Sequence, residues 1–457
     1  MNKTRLLFLA LFALLLAARL CHSGILWAEE TLPLAAAQQM RGGHTLYTDI
    51  WFDKPPVVAL FHYPFRDGWP LRVAGALYGL LTCWLAYAFA RDLWSEREGR
   101  VAAALLAFYL VFAIPSAVTP LASDLLMLAP HLAAVWMAAR RKPLAAGALA
   151  GLAFWISPKG LFVPAVCAVW CPSLLVPAGF AAVVGVGALA VPAAYWDQVW
   201  YWGRIYAGSG FSLSNGLTRT LNWCGFHAAC AAGLLTREIR TVKWLLWLTI
   251  SFVGVAAGFR FFPRYFFQLL PVVVLLAARG YTQLAFKGRV AMALLLLIPL
   301  VRFAPTYLRA LNPVDWRDTA LDTESRAAGV LARLQSQPGD SLFVWGYRPE
   351  IYVYSRLPAA TRFLDSQPLT GVPADRHLRD SIPVETEAAR AHRAELARSR
   401  PTFVIDGLGG YNPQLAISQF PDLREWFSQY HQTGRSGQTV IYRLFPRPAG
   451  LPLPQKR

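Results

Sequence analysis

Two carboxylates, Glu29 and Glu30, follow the first apolar run of the chain, and one loop later comes Phe52-Asp53-Lys54-Pro55-Pro56. Acids and an amine held at a membrane surface suit chemistry on a lipid-linked phosphate. A carboxylate in reach takes a proton from an attacking hydroxyl, and cations stabilise the charge that builds on a departing phosphate. Residues 31–41 have helical apolar spacing, which predicts a helix lying on the membrane with Glu29 at its start, where the helix dipole favours an anion. A plain capping role for Glu29 and Glu30 accounts for the same residues. Pro55 and Pro56 stiffen the following stretch and set the height of Lys54. That fits a phosphate ligand, and equally a lysine snorkelling to the headgroups.

The elements that must position these groups are membrane spans. The 457 residues are 56% hydrophobic and only 15% charged, far from a soluble domain of that length. Apolar runs at 6–20, 73–90, 101–113 and 291–300 approach the roughly 20 residues that cross a bilayer. The net charge of +18 does not point to nucleic acid, because the basic residues cluster in alternate short loops. Arg91, Arg97 and Arg100 form one cluster, Arg140, Arg141 and Lys142 a second, Arg237, Arg240 and Lys243 a third, and Arg279, Lys287 and Arg289 a fourth. This is the positive-inside pattern. It predicts a polytopic α-helical membrane protein with about eleven spans over residues 1–304, an uncleaved first helix, a cytoplasmic N-terminus and a first outer loop at 25–68. Residues 305–457 change composition and predict a small C-terminal α/β domain on the outer face. Strands are expected at 341–345, 402–405 and 438–445, the last as an edge or final strand, and helices at 385–399 and 416–429.

On that topology Asp124, Lys159, Arg260 and Arg264 fall at the outer surface with Glu29 and Lys54. Each also has a plainer reading. Ser123-Asp124 fits a helix start, Lys159 after Pro158 fits an interface lysine, and Arg260 and Arg264 fit anchors beside an aromatic belt. The six cysteines lie in or beside apolar segments, and the eight histidines show no paired spacing, so no disulfide framework and no metal site is expected. No P-loop, dinucleotide-binding glycine pattern or Asp-x-Asp motif is present, which disfavours a nucleotide-sugar donor with bound metal; no cofactor is implied. His131, polar at membrane depth, reads as a packing histidine.

A family resemblance runs through these residues. Ala28-Glu29-Glu30-Thr31, Ala35-Ala36-Ala37-Gln38-Gln39, Arg41-Gly42-Gly43, Tyr47-Thr48-Asp49 and Asp53-Lys54-Pro55-Pro56 resemble the first outer loop of bacterial GT-C glycosyltransferases, in the branch of the protein O-mannosyltransferases and the aminoarabinose transferases of lipid A. In order along the chain, Ser123-Asp124 resembles that family's second acidic position and Ser157-Pro158-Lys159-Gly160 its Lys-Gly motif. Arg260-Phe261-Phe262-Pro263-Arg264-Tyr265 resembles its late aromatic motif, which often carries His before the Tyr, and Trp345-Gly346-Tyr347-Arg348-Pro349-Glu350 an outer-domain segment.

The resemblance implies an inverting transfer of a sugar from a polyprenyl-phosphate donor to a lipid, protein or glycan acceptor on the outer face of a bacterial inner membrane. It places the catalytic carboxylate at Glu29, where the family usually has Asp, with Glu30 and Asp124 as further catalytic candidates. Lys54, Lys159, Asp53, Arg260, Arg264 and Tyr265 are then the substrate-binding candidates. A transporter or flippase of lipid-linked sugars and a non-catalytic membrane scaffold are the rival readings. The first would favour internal repeats, of which none is visible, and the second would not require the acidic and lysine motifs.

Overall fold

The computed structural model describes residues 3–66, 68–209, 212–310, 317–377 and 379–446; residues 311–316 and 447–457 of the expected outer domain lie outside them. The chain divides into two compact units, Met1–Pro33 with Phe52–Trp316, and Leu34–Trp51 with Arg317–Arg457.

The first unit is helical. Its longer helices are Lys3–Leu20, Trp69–Leu93, Glu96–Tyr109, Leu128–Ala139, Pro143–Ile156, Leu175–Ala190, Leu213–Phe226, Val242–Ala256, Leu270–Gln283 and Leu297–Ala310. Two continuous stretches, Trp69–Leu93 and Phe286–Leu308, have the length and hydropathy to cross a bilayer; five further apolar helices are shorter. Prolines account for much of the shortening. Residues 263–283 form a 3-10 turn, Pro263–Gln268, followed by the helix Leu270–Gln283, with a proline in the first turn of each. Pro158 likewise opens a separate 3-10 turn, Pro158–Phe162, after the Pro143–Ile156 helix. Proline lacks the N–H that a helix interior needs but suits a first turn, so each one restarts the helix. Small residues draw the helices together. A Cβ on Gly147 would strike the Val176 carbonyl, and one on Gly179 the Leu144 carbonyl. Small contact residues are what close backbone approach between membrane helices requires. His131 is buried and its Nε2 accepts a hydrogen bond from Trp247 Nε1 at 3.1 Å, as a packing histidine would.

The second unit carries a four-stranded sheet of order β1-β2-β4-β3, with β1 Leu342–Trp345, β2 Phe403–Asp406, β3 Tyr430–Ser436 and β4 Thr439–Leu444. β1 and β2 run parallel; the other pairs are antiparallel. β1 and β2 are buried along their whole length, which is why they read as unbroken apolar runs. The helix Glu387–Arg398 lies where residues 385–399 predicted one. β4 is the final strand of the chain, as 438–445 predicted, and the sheet edge beside it is β3, whose polar sequence (YHQTGRS) hides it from apolar-pattern reading. One expectation is corrected. Residues 416–429 are not one helix but the 3-10 turns Ile417–Gln419 and Pro421–Leu423 and a single turn Arg424–Phe427, since Pro421 interrupts the run.

The Trp345–Glu350 segment leads from β1 into a buried ionic knot. Glu350, with no exposed surface, meets Arg348 at 3.2 Å and Arg376 at 3.0 Å and accepts from the Ser325 hydroxyl at 2.7 Å. Burial alone would raise the Glu350 carboxyl, but Arg376 and Arg348 outweigh it and hold it below the usual carboxylate range.

Candidate active site

Four of the expected site residues meet in the first unit. Each stands at the start of a helical turn, where the chain leaves one apolar segment and enters the next. Glu29 occupies the first turn of the Ala28–Arg41 helix, a position the helix dipole favours for an anion. Asp124 is second in the short turn Ser123–Leu126. Lys159 and Arg264 each directly follow the proline that opens a 3-10 turn.

The charges form a chain. Arg264 Nη1 lies 2.7 Å from Glu29 Oε1, Arg264 Nε lies 3.5 Å from Asp124 Oδ2, and Lys159 Nζ lies 2.8 Å from Asp124 Oδ1. Glu29 makes no other ion pair among the described residues. The Glu29, Arg264 and Lys159 side chains keep 17%, 19% and 15% of their exposure, so a ligand can reach them, while Asp124 keeps only 6%. Asp124 is thus the inner carboxylate that orients both cations. Tyr265 joins them through its ring: Lys159 Nζ is 2.9 Å and Arg264 Cζ 5.3 Å from the ring centroid. A ring face attracts a cation, so it lets two like charges sit on one support.

Two supports hold the Lys159 turn in place. Gln268 Nε2 donates to the Lys159 carbonyl at 2.9 Å. Gly160 presses its backbone onto Ala153 and Phe154, where a Cβ would collide. The Lys-Gly pair therefore has a steric basis: the glycine lets the turn fold back, and the fold-back aims the lysine.

The other expected residues lie differently. Glu30, adjacent to Glu29, is fully buried and salt-bridged to Arg72 at 2.6 Å. Asp53 and Lys54 pair with each other at 3.1 Å, with side-chain exposures of 14% and 16%. The neighbouring Phe52 N–H donates to Gln198 Oε1 at 2.8 Å. Arg260 donates from Nε to the Tyr206 carbonyl at 3.1 Å and stacks 4.1 Å from the Tyr206 ring centroid. Its neighbours Phe259 and Phe261 have φ of 51° and 46°, a left-handed conformation unfavourable for bulky residues that bends the chain just before Pro263. Sequence reading missed Arg72 and Gln268. Arg72 was detectable as a charge near the start of an apolar run; Gln268, a neutral amide, gave no such signal. No group of His, Cys, Asp or Glu suited to holding a metal ion occurs among the described residues.

With this geometry in view, the comparisons with known proteins can be set beside it. Residues 53–196 match the family model for dolichyl-phosphate-mannose-protein mannosyltransferase, a segment that includes Asp53, Lys54, Asp124 and Lys159. The solved structures that the chain resembles show its fold. More particularly, the chain is similar to ArnT from Cupriavidus metallidurans. The crystal structure of that protein bound to undecaprenyl phosphate superposes with a TM-score of 0.64 at 14% identity, over 99% of this chain and 100% of the other. Its apo structure gives 0.58 at 14% identity, over 96% and 97%. A comparison with curated proteins gave no match in sequence.

Proposed function

We propose that this protein transfers a sugar from a polyprenyl-phosphate donor to an acceptor on the outer face of a bacterial inner membrane, with inversion at the anomeric carbon. Its first unit spans the membrane about eleven times from a cytoplasmic N-terminus, and residues 305–457 form an extracytoplasmic α/β domain. The observation that carries the reading is the ion-pair chain Glu29–Arg264–Asp124–Lys159, assembled from four turns far apart in sequence. The undecaprenyl phosphate bound by the similar ArnT supports a lipid-phosphate ligand for these cations.

The chemistry follows from the groups present. An acceptor hydroxyl attacks the anomeric carbon from the face opposite the phosphate and gives its proton to Glu29. The bond from that carbon to the phosphate oxygen breaks, and polyprenyl phosphate leaves with the electron pair. Lys159 and Arg264 stabilise the charge that gathers on the phosphate, and Asp124 keeps both cations aimed. Lys54, steadied by Asp53, is a further phosphate ligand, Tyr265 supports the two cations through its ring, and Arg260 is a further substrate-binding residue. One displacement gives inversion. The test is to incubate the purified full-length chain with polyprenyl-phosphate sugars and measure release of polyprenyl phosphate together with the anomeric configuration of the product. Movement of the intact lipid-linked sugar across vesicles without bond cleavage would overturn the proposal and favour a flippase.

A further inference from the structure

Arg72 stands in the first turn of the Trp69–Leu93 helix and is 1% exposed. That is a poor place for a cation, because the helix dipole opposes it and burial strips its water. Its partners explain the position. Nη1 donates to Glu30 Oε2 at 2.7 Å and Nη2 to Glu30 Oε1 at 2.6 Å. Nη2 also donates to the Ile25 carbonyl at 2.5 Å, and Nε to the His22 carbonyl at 3.2 Å. The Trp27 N–H completes the cage by donating to Glu30 Oε1 at 2.9 Å. One planar fork therefore ties the turn that leaves the Lys3–Leu20 helix to the first turn of the Ala28–Arg41 helix. A lysine, with a single point charge, cannot reproduce that geometry.

Glu29 is the residue beside this knot. Successive helical side chains point about 100° apart, so fixing Glu30 inward fixes the direction in which Glu29 leaves the helix. We infer that Arg72, acting through Glu30, is a positioning residue that aims the Glu29 carboxylate at Arg264. The inference rests on the reading of Glu29 as the base, and it divides the adjacent acids: Glu29 meets substrate, and Glu30 serves as its mount. Stability alone does not demand an ion pair here, since well-packed apolar side chains replace many buried pairs without loss.

The test uses purified full-length protein and four variants, Glu29→Gln, Arg72→Lys, Glu30→Gln and the double variant Arg72→Met with Glu30→Met. Rates are taken per folded molecule with a polyprenyl-phosphate sugar as donor. A displacement of about 1 Å at a catalytic group costs about 10²-fold, so Arg72→Lys, Glu30→Gln and the double variant are each expected to lower kcat by about that factor. Donor KM should stay within about two-fold, the pattern of an interaction made only in the transition state. Loss in the double variant should match the single variants, because the two residues act as one unit. If the single variants fold poorly, the double variant, with no buried charge left unpaired, carries the test. Wild-type kcat in the folded double variant, alongside an inactive Glu29→Gln, overturns the positioning inference alone. Wild-type kcat in Glu29→Gln overturns the reading of the base instead.

Discussion

Glu29→Gln is the sharpest perturbation of the proposed chemistry. The amide keeps the length of the side chain and a carbonyl oxygen to accept from Arg264, 2.7 Å away in the parent. What it loses is basicity. A positioned general base contributes about 10² to 10⁴-fold, or about 3–5 kcal/mol of barrier at 1.36 kcal/mol per decade. The weaker pairing with Arg264 costs little folding stability, because the cation keeps Asp124 at 3.5 Å and is not left buried without a carboxylate. Transfer rate and fold stability should therefore separate: kcat falls by at least two decades while the thermal midpoint moves by a few degrees at most. The assay is single-turnover conversion of a polyprenyl-phosphate sugar, followed by mass spectrometry, with binding of polyprenyl phosphate measured in parallel. Binding should persist in the variant. A Glu29→Gln protein that transfers at the parent rate would refute the assignment of the base, and one that neither transfers nor binds the lipid would show that Glu29 acts in binding rather than in proton transfer.

Other perturbations probe the supports. Gly160→Ala should weaken transfer and lower stability by about 1–3 kcal/mol, the usual cost of forcing extra volume into a packed site, because its methyl meets the backbone of Ala153 and Phe154; thermal unfolding monitored beside activity checks this. Lys54→Ala should raise donor KM about ten-fold, equivalent to about 1.4 kcal/mol of phosphate binding, and leave kcat nearly unchanged; equal kinetics would remove Lys54 from the donor site. Glu350→Ala leaves Arg348 and Arg376 buried without their carboxylate, which should destabilise the second unit by about 3–5 kcal/mol, seen as faster proteolysis within residues 317–446 of the full-length protein.

The sequence was most informative where chemistry and chain breaks coincide. Glu29, Asp124, Lys159 and Arg264 each stand beside a turn signal at the end of an apolar run, so type and position could be read together. The buried strands β1 and β2 were readable because burial on both faces leaves an unbroken apolar run. β3 was not, because a polar edge strand takes its identity from its partner β4 rather than from its own side chains. The role of Glu30 was equally hidden. In sequence it is Glu29's twin, and only the tertiary contact with Arg72 separates a solvent-reachable acid from a caged one. Helix breaks within the apolar runs were harder to place, since hydropathy averages across prolines that the backbone cannot ignore.

The pairing of Glu29 with Arg264 has a further consequence on the proposed reading. Two carboxylates and two cations balance in the cluster, so the proposed base is held in an ion pair with an arginine. An arriving phosphate competes for that arginine and sets the carboxylate loose just when a sugar is in place to be attacked. Proton abstraction is thereby coupled to cargo, since the phosphate that frees the carboxylate is the one that carries the sugar.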